Sequence, residues 1–141
     1  FIHIDSDDTE KVARAYDVIK ANREEHGYPL RMSIDNVLQT IKIIPADFFI
    51  LEHSGCDVAA AQVFHVADDI CQVIYWGDLR KYSNIRPMNC LSYRIFEYYY
   101  KKGLRILDIG PSTEHGAPNY GLCNFKESIG CSASTKFSFE L

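Results

Sequence analysis

Three strand-like runs follow one another in the middle of the chain, at residues 47–53, 58–66 and 70–76, with only short turns between them. Each is rich in β-branched or aromatic residues, which suit a pleated, half-buried surface. Ser54-Gly55 and Asp68-Asp69 supply tight turns. Connections this short permit only antiparallel neighbours, so the middle of the chain is predicted to be a β-meander.

Helical patterns flank the meander. Val12, Ala15, Tyr16 and Ile19 share one face of a helix expected over residues 9–25, with Thr9 as its N-cap, and Gly27-Tyr28-Pro29 breaks it. Ser33 can cap a second helix carrying Ile34, Val37, Leu38 and Ile41, which Pro45 stops. Pro87 opens a third, over 87–102, whose buried stripe is Met88, Leu91, Ile95 and Tyr98. Lys101 and Lys102 oppose the negative end of its dipole, and Gly103 follows as a C-terminal stop. A short apolar strand is expected over 104–109, a fourth helix over 119–129, and a last strand over 133–141, where Ala133, Thr135, Phe137, Phe139 and Leu141 alternate with polar residues. Phe1-Ile2-His3-Ile4 reads as a further short strand. The order implies an α+β fold with a mixed, mostly antiparallel sheet and helices on both faces. The strands on either side of the 87–102 helix are expected to lie parallel through a crossover.

A length of 141 residues suits one domain spanning 1–141. No apolar run approaches the roughly 20 residues that span a bilayer, so no membrane span is expected. The five cysteines, at 56, 71, 90, 123 and 131, form no C-x-x-C pair. They read as small buried thiols of a reducing, cytoplasmic compartment, and no metal site is expected. The net charge of −4 argues against a general nucleic-acid binder. Charge is nevertheless uneven: residues 80–105 hold seven cations, Arg80, Lys81, Arg86, Arg94, Lys101, Lys102 and Arg105, against one acid, Glu97. Such a stretch is either a solvated basic helix face or a local site for a phosphate-bearing ligand.

The element order is similar to that of the GNAT N-acyltransferases (the acyl-CoA N-acyltransferase fold). These often carry N-x-x-A-x-x-L-Y-x-x-x-G-F on the last helix and the turn after it. Here Asn119, Leu122, Phe125, Lys126, Gly130 and Cys131 fall in that register, with Lys126 in place of Tyr and Cys131 in place of Phe. The departure resembles the FemAB-like branch, which carries a strand ending in D-x-G and then G-L-x-x-F-K-x-x-x-G. This chain reads Asp108-Ile109-Gly110, then Gly121-Leu122-Cys123-Asn124-Phe125-Lys126 and on to Gly130. The small-residue strand Val58-Ala59-Ala60-Ala61 and the strand ending Tyr75-Trp76-Gly77 fit that branch as well. The standard GNAT phosphate loop, [RQ]-x-x-G-x-[GA], is absent from residues 77–88, as it is from FemAB-like proteins.

The resemblance implies direct transfer of an acyl group from acyl-CoA or aminoacyl-tRNA to an amine. Lys126 would place positive charge near the reacting acyl group. Asp108, at the end of its strand, would orient Lys126 or the amine, or else cap the loop at 110–112. Tyr120 would protonate a leaving thiolate, or simply pack. Arg80, Lys81 and Arg86, with Asn119 of the motif, would hold the donor. Glu52, His53 and His65 are candidate general bases, and Glu114 and His115 lie in a loop able to meet substrate. Tyr98-Tyr99-Tyr100 reads as helix core and rim. Because FemAB-like proteins pair two such domains, the alternative is a non-catalytic C-terminal half, or an interaction module, that needs a second GNAT-like domain upstream. The opening at Phe1 rather than Met is compatible with that alternative.

Overall fold

The computed structural model describes residues 1–114, 116–135, 137 and 139; of Glu114 only the backbone is described. The chain forms two compact units, Phe1–Gly110 and Pro111–Leu141.

In the first unit the elements run β1 (Ile2–Asp5), α1 (Thr9–Glu25), α2 (Ile34–Thr40), β2 (Ala46–His53), β3 (Cys56–Ala67), β4 (Ile70–Asp78), a 3₁₀ turn (Arg80–Ile85), α3 (Pro87–Lys101) and β5 (Ile106–Asp108). The five strands form one sheet in the order β1-β2-β3-β4-β5. All neighbours are antiparallel except β4 and β5, which the α3 crossover makes parallel. The expected meander is therefore present. Ser54 and Gly55, at φ 51° and 75°, close the β2–β3 hairpin with two left-handed residues, the geometry that matches strand twist.

Two cores follow from the period of two along the strands. Phe48, Ile50 and Ala60 face Val12, Ala15, Val18 and Ile19 of α1 and Val37 of α2. Phe49, Ala59, Ala61 and Val63 face Leu91, Ile95 and Tyr99 of α3. Helices thus cover both faces, and the alanines of β3 let them approach closely.

Local chemistry moves some boundaries. Asp8, not Thr9, caps α1, because its carboxylate accepts the Lys11 backbone N–H at 3.2 Å. Ser33 caps α2 as expected, accepting from Asn36 N–H. β5 is shorter than the expected 104–109, since only Ile106–Asp108 finds a partner. Cys71 is buried, whereas Cys56 and Cys90 are exposed, against the expectation of buried thiols.

In the second unit, β6 (Thr113–Glu114) and β7 (Ala117–Pro118) form a small hairpin, followed by α4 (Tyr120–Ser128). The expected strand at 133–141 is not formed at 131–135, and Phe137 and Phe139 are 76% and 86% exposed. Alternation alone does not make a strand without an edge to pair with. Lys136, Ser138, Glu140 and Leu141 of that stretch, and His115, lie outside the described residues. Among the described residues no helix is long and apolar enough to cross a membrane.

Candidate functional site

Among the described residues, the sheet of the first unit has a partner strand along only part of one side of β4. The parallel ladder to β5 covers Ile70↔Ile106, Cys71↔Leu107 and Gln72↔Asp108, and stops there. β5 ends because Asp108 turns the chain: its Oδ1 accepts the Gly110 N–H at 2.8 Å, and Gly110 sits at φ 74°. The other carboxylate oxygen accepts from Gln72 Nε2 at 3.1 Å, tying the end of β5 to β4. A side chain at Gly110 would lie 3.9 Å from the Val73 carbonyl. Beyond that point no strand among the described residues continues the β5 ladder along β4. A bulge lies in the same stretch, since Gln62 pairs Tyr75 while the next residue, Val63, pairs Val73, leaving Ile74 over. Bulges add twist and re-aim the strand.

The open edge leads into the 3₁₀ turn and then to the start of α3. Pro87 is the first helical residue, and no side chain caps the helix. Arg86 precedes it at φ 50°, ψ 56°, a left-handed conformation that costs a non-glycine residue roughly 1 kcal/mol. Its side chain is exposed. Arg80 is differently placed: its guanidinium donates to the Glu25 carbonyl at 3.0 Å and its backbone N–H to Glu25 Oε2 at 2.9 Å. The Lys81 ammonium rests 4.9 Å above the Tyr82 ring.

In the second unit, Lys126 is the one buried lysine among the described residues, 6% exposed. Its ammonium donates to the Pro111 carbonyl at 2.9 Å. Asn119 caps α4, accepting the Leu122 N–H at 3.0 Å, while its own N–H goes to the Ser112 carbonyl at 2.8 Å. Tyr120, in the first turn, is 73% exposed. Of the sequence-derived candidates, then, Asp108, Arg80, Lys81 and Arg86 lie in the first unit, and Lys126, Tyr120 and Asn119 in the second.

The candidate bases separate. Glu52 is paired with Arg14 at 3.0 Å, and His53 is exposed. His65 belongs to a network around the buried Asp47 that sequence reasoning missed. Its Nε2 lies 2.8 Å from Asp47 Oδ2, which also accepts from the Tyr99 hydroxyl at 2.8 Å. His3 Nε2 lies 2.7 Å from Asp47 Oδ1 and 3.0 Å from the Tyr98 hydroxyl. Burial works to raise the Asp47 carboxyl pKa, but the bonds from His3, Tyr99 and His65 outweigh it and hold it below the usual carboxylate value. The signal was in the pattern: an acid near the start of an apolar strand, on the face of Phe49, has to find partners. Among the described residues no cluster of His, Cys, Asp and Glu is arranged to hold a metal ion.

No protein-family model matches the sequence, and no curated protein matches it either. Solved structures do match. An aminoglycoside acetyltransferase, meta-AAC0020, from an uncultured soil metagenomic sample superposes with a TM-score of 0.68 at 10% identity, covering 99% of this chain and 94% of its own. Aminoglycoside N-acetyltransferase AAC(6')-Iy in complex with CoA gives 0.66 at 13% identity, with 99% and 91% covered. Ribosomal-protein-alanine N-acetyltransferase from Brucella melitensis biovar Abortus 2308 gives 0.66 at 10% identity, with 99% and 96% covered. At such identities the likeness establishes architecture alone: the chain has the GNAT N-acetyltransferase fold.

Proposed function

We propose that the protein is an N-acyltransferase that moves an acyl group from acyl-CoA to an amine by direct transfer. The observation that carries this reading is the end of the β4–β5 ladder at Gln72, past which no strand among the described residues adds to that side of β4. Backbone N–H and C=O groups on such an edge seek partners. A ligand with amides of its own, such as the pantetheine arm of CoA, can add there as a strand would. The edge then runs toward an uncapped helix N-terminus with exposed Arg86 beside it, a setting suited to phosphate. The CoA complex of AAC(6')-Iy, which shares the fold, supports the choice of donor.

In the reaction the deprotonated amine attacks the thioester carbonyl, the C–S bond breaks, and the thiolate takes a proton. Lys126 is proposed to stabilise the developing negative charge, Tyr120 to protonate the thiolate, and Asp108 to hold the end of β5 in place. Arg86, with Lys81 and Arg80, is proposed to meet the donor's phosphates, and Asn119 to fix the start of α4.

Thiol release from acetyl-CoA, measured against a panel of amines (aminoglycosides, polyamines and peptide N-termini), tests the proposal. Amine-dependent release supports it, and the active amine names the acceptor class. No release with any amine, from protein that does not bind CoA, contradicts it.

A second reading rests on one specific feature. Residues 77–88 lack the glycine pair of standard phosphate loops, and Phe125-Lys126 matches the FemAB-like pattern. That branch implies an aminoacyl-tRNA donor and a second GNAT-like domain. Transfer from charged tRNA, with acetyl-CoA inert, would favour it. A cytoplasmic location suits either donor, and the cysteines are all free.

A further inference from the structure

The segment that follows the open edge is not shaped by glycines in the way a standard phosphate loop is. It is held from outside, by the last turn of α1. Asn22, 9% exposed, donates from Nδ2 to the Asp78 carbonyl at 2.7 Å. Its amide fills the space over Gly77, where an added Cβ would lie 2.3 Å from Asn22 Cγ and Oδ1. One turn later Glu25 accepts the Arg80 N–H, and the Glu25 carbonyl accepts from the Arg80 guanidinium. Three hydrogen bonds thus join the end of α1 to two residues, Asp78 and Arg80, on either side of the point where β4 becomes the 3₁₀ turn.

Gly77 is therefore required for a reason other than backbone conformation: it makes room for Asn22. Asn22 in turn occupies the carbonyl of Asp78, the final residue of β4. This sets where the open edge ends and fixes the direction in which the chain leaves toward Arg86 and α3.

We infer that Asn22 and Gly77 are positioning residues for the donor, and that the end of α1 takes the place of the missing glycine pair in shaping the segment that meets the donor's phosphates. The inference rests on the acyl-CoA reading above. Neither residue touches the reacting atoms. Each acts by holding the terminus of β4 at the height and angle at which an added ligand chain continues from the strand edge to the start of α3. Asn22→Asp is the informative change, because a carboxylate of the same shape cannot donate to the Asp78 carbonyl.

The test is CoA affinity, measured by calorimetry on the full chain for the wild type, Asn22→Ala, Asn22→Asp, Gly77→Ala and the Asn22→Ala/Gly77→Ala pair. Arg14→Ala serves as a control: it breaks a different tie of α1, the Arg14 bonds to Asp57 at 3.1 and 2.8 Å. The expected result is an affinity loss of about 10-fold for each Asn22 variant and for Gly77→Ala. The double variant should be no weaker than Gly77→Ala alone, because the added methyl then enters space already vacated. Arg14→Ala should lower the melting temperature and leave affinity unchanged, which separates positioning from general loss of stability. Wild-type affinity in both Asn22 variants, or fully additive losses in the double variant, would overturn the inference while leaving the donor reading intact. A wild type that does not bind CoA removes that reading and this inference with it.

Discussion

The hydroxyl of Tyr99, on α3, donates to Oδ2 of Asp47, on β2, at 2.8 Å, joining helix to sheet inside the core. With His3 from β1 and His65 from β3 on the same carboxylate, four elements meet at one buried charge. Removing one partner from such a group leaves desolvation uncompensated. Tyr99→Phe is expected to cost about 1–3 kcal/mol in urea unfolding.

The same network sets the pH response. Asp47 has its folded pKa below the ordinary value, despite burial, through bonds from His3, Tyr99 and His65. Its contribution is present above the unfolded carboxyl pKa of about 3.9 and is lost as pH falls through the folded value. Tyr99 shifts the other way: burial, and then the Asp47 charge, raise its pKa far above the usual phenol range. That contribution is complete below about pH 10 and declines as pH rises further. Melting temperature against pH should fall at both extremes. Asp47→Asn should flatten the acid side, and Tyr99→Phe the alkaline side. An unchanged acid limb in Asp47→Asn would show that other carboxylates govern it.

Asn119 caps α4 through its side-chain oxygen. Asn119→Ala is expected to destabilise α4 by about 1 kcal/mol. Hydrogen exchange of the α4 amides is the measurement, with faster exchange confined to the second unit. Unaltered exchange would mean that the cap contributes nothing measurable.

Much of this fold was legible beforehand, for identifiable reasons. Short turns at Ser54-Gly55 and Asp68-Asp69 permit one strand topology, and Pro87 and Gly103 punctuate α3 at both ends. The parallel β4–β5 pair followed from the crossover between them. What failed depended on long-range register. Asp47, His3 and His65 are far apart in sequence, and only strand pairing shows them on one face. The alternation at 133–135 looked like a strand because periodicity reports a pattern and not a partner. The Asn22–Gly77 contact had no sequence signal either, since a glycine required by a neighbouring side chain looks like any other glycine. The buried state of Lys126 was equally hidden, since lysine composition carries no burial information.

Arg80 and Arg86 stand at the two ends of the 3₁₀ turn and differ in role. Arg80 is held by Glu25, whereas Arg86 has an exposed side chain with no hydrogen-bond partner among the described residues. Arg86→Ala is expected to weaken CoA binding by about 10-fold at low salt and by less at high salt, where exposed charges are screened. A loss independent of salt would argue against a phosphate contact.

The most direct test is hydrogen exchange of the backbone with and without CoA. Saturable binding should slow exchange in the part of β4 beyond Gln72 and in the first turn of α3, where the proposed ligand adds hydrogen-bond partners. No binding, or protection that avoids that part of β4, would contradict the proposal that this strand receives the acyl donor.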